Sequence, residues 1–360
     1  IVLSADFLHR HRLPGRPETR EAIGSGRQLS NAESRVARVS MAAIQEPVHA
    51  ELDAVFGELG RVVRADFPLV EEVNKHLLRI KGKMFRPTLV LLSAQATGHI
   101  SRRELTLGAI VELIHIATLV HDDSVDHSPL RRGQPTVNAE FSHEIAVIMG
   151  DYLYSRAIEE LVQLGSLEPL RIMSRVTNEL TVGEMREVVA HDVLSFTQTD
   201  YEQLIHSKTA SLMAGSCEVG ALAGGEEFRA PLRQYGSCLG SAFQIADDLL
   251  DYTASESDTG KPTGQDLREH KITLPLIAAL PQMDPAERQR VEDLMADFTP
   301  ATEEIKAVIQ IVEARGGIAA AHQRAEEFAI QAEAELDAVP AGRARDALRD
   351  CITYSIERRR

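Results

Sequence analysis

Two clusters of aspartates form the clearest chemical pattern in the sequence. Both have the spacing Asp-Asp-x-x-Asp, with Asp122, Asp123 and Asp126 in the first and Asp247, Asp248 and Asp251 in the second. Each cluster ends an apolar stretch of helical period, where positions i and i+4 share a face with i+1 beside them, so we expect three carboxylates to be presented together. Grouped carboxylates are costly to keep ionised unless a cation is bound. Because Mg²⁺ prefers oxygen ligands and is often shared with phosphates, the clusters predict a Mg²⁺-dependent phosphate site.

Basic residues surround these clusters in a chain that uses arginine for most of its positive charge. Lys83 and Arg86 stand at a predicted helix start, where backbone N–H groups and the helix dipole favour an anion. Further basic residues follow the first cluster, lie within a later helix or follow the second cluster: Arg131, Arg132, Lys208, Lys261 and Lys271. Lysine is a compact charge suited to phosphate, and arginine adds bidentate geometry. The set predicts a diphosphate site.

Composition excludes several classes of function for this 360-residue chain. The formal net charge of −15 argues against general binding of nucleic acid or of anionic membranes. Three isolated cysteines, Cys217, Cys238 and Cys351, predict neither a disulfide framework nor a structural zinc site, and favour a reducing cytoplasm. The most apolar stretch, residues 105–120, contains Glu112 and His115. We therefore expect it to be too short and too polar to cross a membrane, and to form a buried core helix.

Helical periodicity governs the chain from Met41 onward. Turn signals separate the helical segments, and strand-like alternation never exceeds a few residues. The pattern predicts an all-α fold, a single large bundle of ten or more helices with apolar helices at its centre. Residues 1–40 contain seven arginines, no lysine and little periodicity. We expect them to form a flexible N-terminal extension, separate from a domain at 41–360.

The chain resembles the trans-isoprenyl diphosphate synthases, or polyprenyl synthetases, over about residues 45–358. The resemblance rests on long motifs in a fixed order: GKMFRP at 82–87, ELIHIATLVHDDSVDHSPLRRGQPTVN at 112–138, MGDYLYSRA at 149–157, Lys208-Thr209-Ala210, AFQIADDLLDYT at 242–253, and GKPTGQDLREHKITLP at 260–275. Two positions depart from the family pattern. Lys81 stands where many relatives have Gly, and Glu187 stands near a position where relatives often have Gln.

The resemblance implies an isoprenoid-synthase fold with a central active-site cavity, in which isopentenyl diphosphate adds to an ionised allylic diphosphate. Asp122, Asp126 and Asp247 would hold three Mg²⁺ ions on the allylic diphosphate, supported by Asp123, Asp248 and Asp251. Arg131, Lys208 and Lys261 would contact the same diphosphate. Lys83, Arg86, His115 and Arg132 would bind isopentenyl diphosphate, with Lys271 near the mouth. Thr209 and Gln244 would stabilise the developing carbocation. Without the resemblance, His115 would be read as a hydrogen-bonded core residue.

Product length is predicted from the helix that precedes Asp122. Short-chain relatives carry an aromatic plug four or five residues upstream, where this chain has Thr118 and Ala117. The twelve residues from Ala117 back to Leu105 span roughly 18 Å, enough for about three or four more isoprene units. Products of roughly C30 to C45 are expected, along a face with Ile114 and Ile110. Met173 is a candidate floor, although an apolar Met is more often plain core packing.

Alternative hypotheses remain open at this point. A geranylgeranyl-type short-chain synthase would result if other bulky residues closed the tunnel. A noncatalytic subunit of a heteromeric synthase is a second alternative, although such subunits usually have degenerate aspartate clusters. The resemblance implies a homodimeric cytoplasmic enzyme with isopentenyl and allylic diphosphates as substrates, at most peripheral membrane contact and no nucleic-acid partner.

Overall fold

The computed structural model describes residues 39–79, 82–189, 195–253 and 263–357. Helices dominate these ranges: α1 Met41–Gln45, α2 His49–Val62, α3 Pro68–Arg79, α4 Phe85–Thr97, α5 Arg102–Val125, α6 Val137–Glu140, α7 His143–Gln163, α8 Leu167–Val189, α9 Gln198–Ile205, α10 Ser211–Ala221, α11 Arg229–Thr253, α12 Gln265–Arg268, α13 Leu274–Ala279, α14 Pro285–Ala296, α15 Thr302–Ala314, α16 Gly317–Glu335 and α17 Arg343–Ile356. Short 3₁₀ turns at 46–48, 226–228, 280–282 and 336–338 connect some of them. The predicted all-α bundle is confirmed.

Helix α5 carries the first aspartate cluster through the middle of the bundle. A capping box starts it, because Ser101 accepts from the Arg103 amide and Glu104 accepts from the Ser101 amide. It packs against α2, α4 and α7. The prediction that this apolar stretch is too short and too polar to span a membrane is wrong. Helix α5 has 24 residues and, by length and composition alone, is long and apolar enough to cross one. However, 67% of its most apolar window is buried in the bundle, as the predicted core helix requires.

Helix α11 carries the second cluster and packs closely against α10 and α16. Two glycines on one face of α11 allow it to lie close to α10 and to the residues just before α10. A Cβ atom on Gly236 would lie 2.6 Å from the Met213 carbonyl oxygen, and one on Gly240 would lie 2.5 Å from Cα of Ala210. Backbone therefore meets backbone here, and Gln244, one turn after Gly240, reaches the same segment.

A π turn at His206–Ala210 joins α9 to α10. Its hydrogen bond runs from the Ser211 amide to the His206 carbonyl, five residues apart. Sequence periodicity predicts one uninterrupted helix over residues 201–222, so this turn is a feature that it misses. π turns inside α-helices occur frequently at functional sites.

A two-stranded antiparallel ribbon, β1 Leu130–Arg131 and β2 Gln134–Pro135, follows the first cluster. Arg132 and Gly133 form its turn with φ angles of 51° and 74°, the positive values that a tight two-residue hairpin turn requires. At the N-terminus, the Ser40 hydroxyl accepts from the Ala43 amide and caps α1 at Met41. Residues 1–38 of the predicted extension lie outside the described residues.

Candidate active site

The first aspartate cluster contains one carboxylate that an arginine holds in place. Asp123 is buried and accepts hydrogen bonds from Arg131 Nε and Nη2 at 2.7–2.9 Å. Asp122 lies in the last turn of α5, and Asp126 is its C-cap. Burial raises the pKa of Asp122 to about 7, and the nearby carboxylates of Glu184 and Asp126 add to the effect. A bound cation would stabilise the ionised form of a carboxyl group in these surroundings.

The second cluster is ordered by a chain of hydrogen bonds. Tyr201 donates to Asp248 Oδ2 at 2.5 Å, and Gln244 Nε2 donates to Asp248 Oδ1 at 2.8 Å. The amide oxygen of Gln244 in turn accepts from the Thr209 hydroxyl at 2.8 Å. Burial raises the pKa of Asp248 to about 7, against the opposing effect of both hydrogen bonds. Asp251 accepts from the backbone amides at the start of α12, at 2.9 and 3.0 Å.

The π turn links the two clusters. Lys208 lies 3.0 Å from Glu184 Oε2 and also pairs with Glu187, and its charge acts on Asp122. Burial lowers the pKa of Lys208, but the two carboxylates outweigh burial and raise it. The next residue, Thr209, bonds the Gln244 side chain of α11. Predicted residues from three segments of the sequence thus share one site.

Two of the four predicted isopentenyl diphosphate contacts, His115 and Arg132, line a pocket that is open to solvent, whereas Lys83 and Arg86 do not line it. His115, Arg131 and Arg132 line it together with the buried Glu112. Burial lowers the pKa of His115 well below its usual value, with further lowering from neighbouring arginines, so its imidazole is neutral at pH 7. Apolar side chains from α2, α3, α5 and α6 complete the walls: Phe56, Leu59, Leu77, Leu78, Ile116, Leu119, Val120 and Val137.

Lys83 and Arg86 lie at the start of α4, as predicted. Lys83 donates to the Tyr354 hydroxyl at 2.9 Å and lies 5.6 Å from the centre of its ring. Burial lowers the pKa of Arg86 to about 10, although Glu112 opposes the shift. Its Nε atom is buried without a hydrogen-bond partner. A guanidinium held in this way is suited to an incoming anion.

The predicted chain-length positions lie on the other side of α5 from this cavity. Ala117, Ile114 and Ile110 are each at most 2% exposed, within the main hydrophobic core. Thr118 is half-buried, and its hydroxyl donates to the His115 carbonyl at 2.8 Å. Met173 of α8 belongs to the same core.

Two more lysines follow the second cluster in the sequence, and the structure describes one of them. Lys261 lies outside the described residues. Lys271 pairs with Glu269 at 2.8 Å, and its charge acts on Asp248.

Within the described ranges, no three carboxylate, imidazole or thiolate groups converge to hold a metal ion by themselves. Arg131 bonds Asp123, and Tyr201 and Gln244 bond Asp248, so these two carboxylates already have protein partners, and the joint presentation of three carboxylates by each cluster stays a prediction.

The donor chemistry nevertheless fits Mg²⁺ shared with a substrate. Asp122, Asp126 and Asp247 offer only oxygen atoms, and hard cations prefer oxygen. The raised pKa of Asp122 marks a carboxyl whose ionisation a cation would favour. Substrate phosphates would complete the coordination that the protein leaves open.

Four functional candidates escape the sequence argument. Tyr201 and Tyr354 bond Asp248 and Lys83 across 47 and 271 residues of sequence, which no local periodicity reveals. Glu112 begins the motif at 112–138, three residues before His115, and this position is the only feature of the sequence that points to a functional role. Glu184 precedes Glu187 by three residues, so their common helix face could have been inferred.

Comparison with known proteins identifies the family. The family model described as polyprenyl synthetase matches residues 67–312. The chain belongs to the polyprenyl synthetase family. This chain is 38% identical over 317 residues to an all-trans-nonaprenyl-diphosphate synthase (geranyl-diphosphate specific) of Rhodobacter capsulatus, covering 88% of this chain and 97% of the relative. It is 36% identical over 310 residues to heptaprenyl diphosphate synthase component 2 of Geobacillus stearothermophilus, covering 84% and 94%.

The fold is shared with solved members of the polyprenyl synthetase family. The crystal structure of a decaprenyl diphosphate synthase from Rhodobacter capsulatus superposes with a TM-score of 0.85 at 32% sequence identity, covering 89% of this chain and 100% of that one. The predicted isoprenoid-synthase fold is thereby confirmed. The predicted enzyme class, a prenyltransferase, is confirmed as well, since the relatives of this polyprenyl synthetase are prenyl diphosphate synthases.

Proposed function

We propose that this polyprenyl synthetase condenses isopentenyl diphosphate with an allylic diphosphate in successive trans head-to-tail additions, giving products of roughly C30 to C45. The observation that carries the proposal is the Lys208-Thr209 turn between the two aspartate clusters. Lys208 acts on Asp122 of the first cluster, and Thr209 bonds Gln244, which bonds Asp248 of the second. One substrate with a charged head and a reactive carbon can meet both clusters here.

The allylic diphosphate binds between the clusters. Asp122, Asp126 and Asp247 hold Mg²⁺, three ions in all, while Arg131, Lys208 and Lys261 contact the diphosphate. Bound Mg²⁺ supplies positive charge against the charge that develops on the leaving pyrophosphate. Asp123, Asp248 and Asp251 support the site by bonding Arg131, Tyr201 and Gln244, and the α12 amides. Lys271 lies near the mouth.

Isopentenyl diphosphate occupies the other end of the site. Lys83, Arg86, His115 and Arg132 hold its diphosphate. The unpartnered Nε of Arg86 supports this assignment, because a buried donor gains a partner from an incoming anion. Holding both substrates in one cavity replaces a bimolecular encounter.

The chemistry needs no nucleophilic side chain. The C–O bond of the allylic diphosphate breaks and its electron pair leaves with pyrophosphate. The π electrons of isopentenyl diphosphate then form the new C–C bond to the allylic carbon. Loss of a proton, accepted by pyrophosphate, restores the double bond. Oxygen dipoles of Thr209 and Gln244, fixed by their mutual hydrogen bond, stabilise the positive charge between these steps.

Chain length is limited along α5. Ala117 and Thr118 leave no aromatic plug next to Asp122, and Ile114 and Ile110 continue the same face toward Met173. The small residues support elongation beyond the short-chain stop. The domain responsible spans residues 41–360, with 1–40 as a separate extension.

The enzyme acts as a cytoplasmic homodimer. Adjacent helices α7 and α8 expose large apolar side chains, including Ile148 at 64% and Met185 at 61%. An apolar surface of this kind supports pairing with a second copy. Light scattering should give a dimer mass, and Met185→Glu should lower it. A monomeric wild-type enzyme would contradict the assignment.

Product analysis tests the function directly. The purified chain is incubated with Mg²⁺, isopentenyl diphosphate and farnesyl diphosphate, and the products are sized by mass spectrometry. Products of about C30 to C45 are expected. A product that stops at C20 would favour the short-chain alternative. Complete absence of elongation by the chain alone would contradict the proposal and favour a subunit of a heteromeric synthase, such as the relative named component 2.

A further inference from the structure

The ammonium group of Lys208 is held between two carboxylates of α8. Its Nζ atom lies 3.0 Å from Glu184 Oε2 and is hydrogen-bonded to Glu187. All three side chains are between 23% and 36% exposed, so the pairs are only partly screened by water. Lys208 is the residue that the proposed function assigns to the allylic diphosphate.

Backbone packing brings these groups together. Gly183 immediately precedes Glu184, and a Cβ atom there would lie 2.8 Å from Cβ of Ser207 and 3.1 Å from the Lys208 backbone nitrogen. Helix α8 can therefore lie directly against the π turn. Glu184 and Glu187 stand three residues apart on one helix face, so both reach the same ammonium.

The two glutamates have different surroundings. Glu184 adjoins the first aspartate cluster, since its charge acts on Asp122 and that of Asp126 acts on it. The charge of Glu187 acts on Lys208 and also on Lys271. Glu187 is thus a negative group near the lysine that the proposed function assigns to the allylic diphosphate and near the lysine that it places at the mouth.

We propose that, in the substrate-free enzyme, Glu187 occupies the anion position on Lys208 that the allylic diphosphate takes during catalysis. This inference rests on the proposed function. The incoming diphosphate displaces Glu187, so the cost of breaking the Glu187–Lys208 pair weakens binding of the allylic substrate. Glu187 is a positioning residue that acts through Lys208, and it sets affinity for one of the two substrates.

The test compares wild type with Glu187→Gln, a change that keeps shape and removes the charge. Binding of farnesyl diphosphate is measured calorimetrically with Mg²⁺ and without isopentenyl diphosphate, where no elongation occurs. The variant should bind roughly three- to tenfold more tightly, and its KM for farnesyl diphosphate should fall by a similar factor. The KM for isopentenyl diphosphate should not change.

Two further variants separate this role from general charge effects. Glu333→Gln removes a comparable ion pair, that of Glu333 with Arg349 at 2.6 Å, and should leave both KM values unchanged. In a Lys208→Ala background, Glu187→Gln should no longer tighten binding. Unchanged or weaker farnesyl diphosphate binding in Glu187→Gln would overturn the inference, as would equal tightening without Lys208. Failure of the proposed function is distinguishable, because the wild type would then form no product.

Discussion

Removal of one buried hydroxyl should move the pH dependence of the reaction. Tyr201 is 2% exposed, and its hydroxyl donates to Asp248 at 2.5 Å. Burial raises the pKa of Asp248 to about 7, and the hydrogen bonds from Tyr201 and Gln244 hold it from rising further. Tyr201→Phe removes one of these two donors and leaves the ring that fills the core.

The magnitude follows from the value of a hydrogen bond to a charged group. Such a bond contributes about 1.5–3 kcal/mol, and about 1.4 kcal/mol corresponds to one pH unit. Because the ionised carboxylate loses the donor, protonation becomes easier and the acidic limb of the rate profile should move upward by about one to two pH units. At pH 7 the variant should therefore be slow, and it should recover as the pH rises.

The assay is kcat/KM for the allylic diphosphate between pH 6 and 9 at saturating Mg²⁺. Tyr235→Phe is the matched control, because Tyr235 is equally buried but donates to the Leu348 carbonyl at 2.7 Å, in a different part of the bundle. The control should keep the wild-type limb. An unmoved acidic limb in Tyr201→Phe, at unchanged thermal stability, would refute the reasoning.

Three other changes test neighbouring parts of the argument. Ala117→Phe should shorten the product, as measured by mass spectrometry, because it restores a plug near Asp122; an unchanged product length would count against the path along α5. Gly240→Ala should reduce activity and destabilise the fold by about 1–3 kcal/mol, because its Cβ would meet Ala210 Cα at 2.5 Å, whereas Gly57→Ala, with nothing within 4 Å, should not; equal unfolding midpoints in denaturant would contradict this. The metal-free protein should lose stability between pH 6 and 8.5, because burial raises the pKa of Asp122 and Asp248 to about 7 and of Asp266 to about 8. Protonation of these three carboxyl groups stabilises the folded protein, and this contribution is complete below the ordinary aspartate pKa. The contribution is lost as the pH rises through the folded-state pKa values. Differential scanning calorimetry should show Tm falling by about 2–4 °C, an effect that Mg²⁺ with pyrophosphate should reverse; a rising Tm in EDTA would contradict it.

The success of sequence reasoning depends on the range of the contacts involved. Helix periodicity and i, i+4 spacing are local, so the helical bundle and the place of each aspartate cluster at the end of an apolar helix could be predicted. The partners of Asp123 and Asp248 could not be predicted, because Arg131 and Tyr201 reach these carboxylates through tertiary packing. Tyr354 lies near the end of the chain yet bonds Lys83, and nothing local to either residue indicates the pair.

The π turn has a consequence for how this gene can tolerate length changes. An α-helix advances 100° per residue, whereas the turn at His206–Ala210 absorbs one additional residue. Deleting a single residue there would restore regular pitch and keep the residues after it in phase, so Gly215 would keep its contacts with Val176 and Met173 of α8. The deletion would instead remove the turn that presents Lys208 and Thr209 to the two aspartate clusters. We therefore expect a frame-preserving single-codon deletion at this turn to leave the bundle folded and to abolish activity.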